Sequence, residues 1–273
     1  MTQQLTDALG RALLLAATPR RIVSLVPSLT EWLFAIGADE QIVGVTNFCL
    51  HPAGGVATKT RVRGTKNPDR AAIIELRPDL VIASCEENRE RDVIALEAAG
   101  IQVYVTDIRT VAGAIETLAE LARLLERDSQ AAPLLDEMRA TLAESLATPR
   151  ESRRVLAPIW RNPWMAIGDD SYAHDLLTVC GALNVAATLP GRYPRFQLAD
   201  IPELRPEVIL LPSEPYRFTT DDLPALRAAW TGPVQFVDGE LLTWYGPRIP
   251  LALRTFRALF EHGTTATPRA QER

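Results

Sequence analysis

A chain of 273 residues, 47% of them apolar, can bury either one large core or two lobes of ordinary domain size. Its formal charge of −5 and a pI near 5.4 exclude the basic surface that nucleic acid requires, and no run of Lys and Arg offsets them. Cys49, Cys85 and Cys180 are odd in number and far apart, which is not a disulfide framework.

The first apolar run, Ala12 to Ala17, is far short of the roughly 20 residues of a membrane span. Asp7 and a single Arg11 precede it where a secretory signal has a basic stretch. Residues 1–19 are expected to be an N-terminal extension, and the chain as given is expected to be cytoplasmic, the alternative being a periplasmic or extracytoplasmic protein whose true start lies upstream. RIVSLVP, from Arg21 to Pro27, then reads as a strand. Ser28 and Glu31 have capping-box spacing at the head of LTEWLFAIG, a helix that Gly37 closes. QIVGVT is the next strand, followed by the loop NFCLHPAGG. A helix near Pro68–Leu76, the strand DLVIAS, a helix near Arg89–Ala99 and the strand IQVYVT complete this half. Strands alternating with short helices indicate βαβ units and a largely parallel sheet.

No strand signal occurs between Val111 and Thr148. Leu135, Met138, Leu142 and Leu146 recur at helical spacing, and Pro133 is expected in the first turn of that long helix, with Asp128 or Ser129 as its cap. Alternation then resumes with VLAPIW, a helix over Ser171–Cys180, the strands EVILLP and VQFVD, and a last helix from Pro250 to His262. The tail from residue 263 has no apolar pattern and is expected to be disordered. The expected division is a lobe over 20–110, a bridging helical segment over 111–150 and a second lobe over 151–262.

An internal echo supports two lobes. ELRPDLVIASCEE (Glu75–Glu87) aligns without a gap on ELRPEVILLPSEP (Glu203–Pro215), and Glu86 falls on Glu214.

RIVSLVPSLTEWLFAIG, VGVT and LRPDLVI with LEAAGIQVYV resemble the first lobe of the helical-backbone, periplasmic-binding-protein-like receptors of ABC importers, which bind cobalamin, haem and ferric siderophores. LLTVCGALNV, YPRF, LRPEVILL and WYGPR resemble the second lobe, and the cobalamin-binding type is the nearest. The resemblance implies an α/β fold of two Rossmann-like lobes with mainly parallel sheets, bridged by a long helix, with ligand in the cleft between them. It further implies a monomer that binds a small metal-containing ligand, holds no intrinsic cofactor and works with a permease. Two cleft tryptophans of the cobalamin receptors fall here on Ser84 and near Thr65. The two glutamates that dock such receptors fall on Ala71 and Ala199, with Asp69 and Asp200 close by, which points away from the usual docking and towards either a cytosolic sensor or carrier or a receptor that docks to a divergent permease.

In parallel sheets, ligands bind beyond the carboxyl ends of strands, so the loops after each strand supply the candidates. Phe48 keeps an aromatic after the second strand, and Cys49 or His51 in the same loop has the chemistry of an axial ligand to iron or cobalt. The plainer alternative makes Cys49 a small buried residue. Lys66 in RGTKNP suits a carboxylate or phosphate of a ligand, or a solvated turn. Glu86 and Glu87 either line the site or are first-turn helix charges, with Asn88 as the helix cap. Trp164 and Tyr193, Glu214 with Tyr216, and Asp238, Trp244, Tyr245 and Arg248 complete an aromatic and polar lining for a large flat ligand. For the last cluster the alternative is that Trp244 packs on the sheet and Arg248 pairs with a local acid. A two-lobed enzyme is the remaining alternative, but no GxSxG, P-loop or HExxH pattern occurs, and nucleic acid is not an expected partner.

Overall fold

A computed structural model describes residues 3–147 and 151–261. The expected disordered tail lies outside the described residues, as does His262. The chain forms two compact units, the first comprising residues up to Ile108, Gly113–Glu137 and Tyr245–Pro247, and the second the remainder.

The first unit opens with an antiparallel hairpin, β1 (Gln3–Thr6) and β2 (Ala12–Leu15), where only an extension was expected. Asp7 builds its turn, accepting from the Leu9 N–H at 3.0 Å and the Arg11 N–H at 2.9 Å. The elements that follow are β3 (Ile22–Ser24), α1 (Pro27–Ala35), β4 (Ile42–Val45), α2 (Ala53–Val56), β5 (Thr60–Arg61), the short hairpin β6 (Arg63–Gly64) and β7 (Asn67–Pro68), α3 (Arg70–Glu75), β8 (Leu80–Ser84), α4 (Glu90–Ala98), β9 (Val103–Thr106) and α5 (Val111–Leu124). The five-stranded sheet has the order β5-β4-β3-β8-β9 and is parallel throughout. Every residue of β8 and β9 is buried, which explains why these strands read as continuous apolar runs with no alternation. The β1–β2 turn lies on the outer edge of β9, where the Ala8 N–H donates to the Val105 carbonyl at 3.0 Å and Arg11 donates to that of Val103 at 3.2 Å.

The expected capping box at Ser28 does not form. Pro27, which has no N–H to satisfy, takes the first helical position behind Val26, and Ser28 lies inside the helix. Trp32 on α1 is wholly buried, and its indole donates to the Leu118 carbonyl on α5 at 3.1 Å. Helix α6 (Asp128–Ala147) contributes residues to both units. It begins at Asp128, so Pro133 falls in the second turn and not the first.

The second unit contains β10 (Arg153–Leu156), β11 (Pro158–Trp160), β12 (Met165–Ala166), α7 (Tyr172–Val179), β13 (Ala182–Asn184), α8 (Ile201–Leu204), β14 (Val208–Pro212), α9 (Leu223–Arg227), β15 (Val234–Val237), α10 (Gly239–Thr243) and α11 (Ile249–Glu261). VLAPIW is not one strand. It breaks at Ala157, and β11 leaves the main sheet to pair with β12. The main sheet, β13-β10-β14-β15, is parallel and has the connectivity of β4-β3-β8-β9 in the first unit.

The echo seen in the sequence extends to side chains. In the first unit the Arg21 guanidinium donates to the Leu76 and Arg77 carbonyls, and the Arg21 N–H donates to Asp79 at 2.9 Å. In the second, Arg154 donates to the Leu204 and Arg205 carbonyls, and its N–H donates to Glu207 at 2.7 Å. The turn residues Arg77 and Arg205 both adopt positive φ, 47° and 48°.

Candidate functional site

In the main sheet of each unit the strands run parallel, so their carboxyl ends share one edge, and the loops leaving that edge carry the chain's unusual side chains. In the first unit the loop after β4 is fixed by Arg61, which donates to the Thr46 carbonyl at 2.7 Å and the Cys49 carbonyl at 2.8 Å. Phe48 projects from it 59% exposed, and His51 is half-buried. Cys49 is placed otherwise than a ligand to an incoming metal would be. It has no exposed surface, and its sulfur lies 3.1 Å from the Thr30 hydroxyl and 3.2 Å from that of Thr46. Burial pushes the thiol pKa up against those hydrogen bonds, so it stays protonated, and the thiolate is the form that binds metals. Among the described residues no three His, Cys, Asp or Glu side chains are grouped to hold a metal ion.

The loop after β8 holds Glu86 and Glu87 half-buried. Asn88 is not the helix cap. Arg89 takes that position, while Asn88 is buried, accepting from the Ser84 N–H at 2.9 Å and donating to the Thr65 carbonyl at 3.0 Å. Lys66 reaches across from the β6–β7 hairpin to donate to the Glu86 carbonyl, so its ammonium is engaged by backbone. Tyr245 belongs to this unit and is nearly buried, its hydroxyl bonded to the side chains of Ser84 and Ser28. Burial, then the Glu87 and Glu86 carboxylates, hold the phenol well above its ordinary pKa. Gly246 follows at φ 148°, where an added Cβ would lie 3.1 Å from the Ser28 carbonyl oxygen. Tyr245 is thus an anchor in the core of its unit, where an open stacking face was expected.

The part of the DGELLTWYGPR cluster that lies in the second unit, Asp238–Trp244 with Arg248, is largely engaged with itself. Asp238 caps α10, accepting from the Glu240 N–H at 2.9 Å and the Leu241 N–H at 3.3 Å. Trp244 is buried, and Arg248 pairs with Glu240 at 3.0 Å while lying over the Trp244 ring at 5.4 Å. Glu214 accepts from the Thr243 hydroxyl at 2.9 Å. Burial raises its pKa, and the nearby Glu240 and Asp238 add to that against the hydrogen bonds from Thr243 and Trp244.

A raised carboxyl pKa means that the folded state holds the proton more tightly than the unfolded chain does. The contribution is therefore present below the unfolded value of about 4.5 and is lost as pH rises through the higher folded value. Glu214→Gln should gain stability relative to wild type at pH 7 and not at pH 4. Urea unfolding across that range checks it, and a constant difference at all pH values would contradict the assignment.

The loops after β11 and β14 form an aromatic group. Trp164 stacks on Phe218 with centroids 5.7 Å apart and tilts against Phe196 at 6.1 Å, and Tyr216 meets Phe218 edge-on at 4.7 Å. Trp164 and Tyr216 are consequently half-buried in packing, as is Tyr193 in its own loop, whereas Trp160 at the rim is 42% exposed. Two polar arrangements were not expected. Arg161, between the two tryptophans of WRNPWM, ion-pairs with buried Asp222, and Ser28 and Ser84 bind Tyr245. An arginine flanked by aromatics was a visible signal, but its partner 61 residues away was not.

A model of the periplasmic binding protein family matches residues 22–217. The chain belongs to the periplasmic binding protein family. A vitamin B12-binding protein of Salmonella typhi is 32% identical to this binding protein over 77% of its chain and 80% of the relative's. An uncharacterized ABC transporter substrate-binding lipoprotein of Bacillus subtilis, YvrC, is 28% identical over 89% and 80%. The crystal structure of a periplasmic haem-binding protein from Pseudomonas aeruginosa superposes with a TM-score of 0.76 at 24% identity, covering 89% of this chain and 92% of that one. These findings overturn the expectation of a cytoplasmic protein. The family is periplasmic, and a relative that aligns along most of this chain is a lipoprotein.

Proposed function

We propose that this binding protein is the substrate receptor of an ABC importer for a metal-containing macrocycle or chelate, with cobalamin foremost, then haem or a ferric siderophore. The observation that carries the reading is the similarity to a protein named for vitamin B12 binding along most of both chains. Flat apolar surface at the strand-end loops supports it, since Phe48 and Trp160 are half or nearly half exposed in the first and second unit respectively. The metal belongs to the ligand, and half-buried His51, beside Phe48, is the side chain we assign to axial contact with it. Glu86 and Glu214, at equivalent positions of the two units, would meet polar groups of the ligand. The positions of the usual docking acids are exposed alanines, Ala71 and Ala199, while Asp69 caps α3 and Asp200 accepts from the Gln197 N–H at 2.7 Å. We therefore expect a permease whose recognition does not depend on carboxylates at those two points.

Titration with cyanocobalamin, haem and ferric chelates, followed by visible spectra and by melting temperature, tests the proposal. At a free ligand concentration 100 times Kd, binding stabilises the fold by about 2.7 kcal/mol, which is several degrees in Tm for a protein of this size. Saturable spectral and thermal shifts with one of the three are expected. No shift with any of them would overturn the reading.

A further inference from the structure

Arg161, in the aromatic loop after β11, is fixed in place by a buried acid. Asp222 is 3% exposed and accepts from the Thr219 N–H at 2.8 Å, from the Tyr216 hydroxyl at 3.2 Å and from Nη1 of Arg161. The guanidinium also lies over the Trp164 ring, 5.9 Å from its centroid. The Arg161 side chain retains 27% exposure, and its guanidinium, which carries five N–H donors, is hydrogen-bonded to the side chains of Asp222 and Tyr216. Beside it in the chain, Trp160 presents an exposed ring held edge-on against Tyr216 at 5.8 Å.

A buried carboxylate, the Tyr216 side chain and an aromatic face orient this guanidinium before binding, which lowers its entropic cost, and a pre-oriented fork of donors is suited to an oxyanion. We infer that Arg161 is a specificity-determining anchor for an anionic substituent, carboxylate or phosphate, of a ligand whose flat ring lies against Trp160. The inference rests on the proposed function and narrows it, since it requires an oxyanion on the ligand as well as a ring.

The test compares ligands with counterparts that lack the anionic group: haem with its dimethyl ester, and cyanocobalamin with dicyanocobinamide, which lacks the whole nucleotide loop, phosphodiester included, so that for this pair the Arg161→Gln comparison decides. Wild type should prefer the charged member of the pair it binds, and Arg161→Gln should weaken that member alone by about 10- to 100-fold, the range of hydrogen bonds to charged groups. The haem pair reports a carboxylate and the cobalamin pair a phosphate. Equal affinity of wild type for both members of a pair, or an equal loss of both in Arg161→Gln, would overturn the anchor while leaving the proposed function standing. Failure of wild type to bind any of the four overturns both. Should Arg161→Gln not fold, the wild-type comparison and Arg161→Lys, expected to keep part of the preference, decide the matter.

Discussion

Gly239→Ala should destabilise the protein by about 3 kcal/mol, the upper end for inserting one methyl group into packed surroundings. A Cβ at this position would overlap the backbone nitrogen and oxygen of Glu214 as well as its side chain. Backbone cannot rotate aside as a side chain does, and Gly239 is held by its N–H, which donates to the Ser213 hydroxyl at 2.9 Å. The strain would separate the loop after β14 from the start of α10, the region that also carries the Glu214–Thr243 hydrogen bond. Gly54→Ala is the natural control, because its added methyl meets nothing within 4 Å and it lies in a helix. That variant should be neutral or slightly stabilising through the unfolded chain. Denaturant midpoints at matched slopes measure both, and equal stability of the two variants would refute the close-approach argument.

The second large effect is expected at Trp32. Trp32→Ala removes a wholly buried indole that joins α1 to α5, and the cavity with the lost transfer energy should cost about 3–5 kcal/mol. Trp32→Phe should cost less, about 1–2 kcal/mol. It keeps an aromatic ring, and the Leu118 carbonyl it abandons lies within α5, where a main-chain donor is available. Urea unfolding of both variants, followed by far-ultraviolet circular dichroism because the chain has 5 tryptophans, separates the two terms. If Phe proves as damaging as Ala, the hydrogen bond and not the volume is what holds α1.

Legibility in the sequence followed the range of the forces involved. Buried parallel strands leave apolar runs that can be read directly, as LVIAS and VILLP show, and turn residues mark their ends. The N-terminal hairpin was missed because ALLL looks like a short apolar stretch, although its burial alternates along the strand. Asp7 and Gly10 were the available signal for the turn, Gly10 having φ 75°. The capping box failed because a local motif competed with Pro27, one residue earlier. At the site, composition located the loops but not the side chains' engagements. Trp244 and Tyr245 are adjacent in sequence yet belong to different units, and neither is open for stacking. Cys49 and His51, two residues apart, are likewise divided into a sealed thiol and a half-exposed imidazole. Arg161 takes its orientation from an acid that no local pattern reveals.

The paired arginine clasps at Arg21 and Arg154 bear on where this chain came from. A non-glycine residue at positive φ is uncommon and strained, and here two arginines adopt it at the same point of the same turn, each with its carbonyl gripped by another arginine, Arg21 just before β3 and Arg154 near the start of β10. Two independent origins would each have had to arrive at that unfavourable arrangement, whereas one ancestral half-protein copied in tandem carries it into both halves at once. The halves nevertheless differ in chemistry, with Glu86 and Glu87 on the loop after β8 of the first and Arg161 on the loop after β11 of the second.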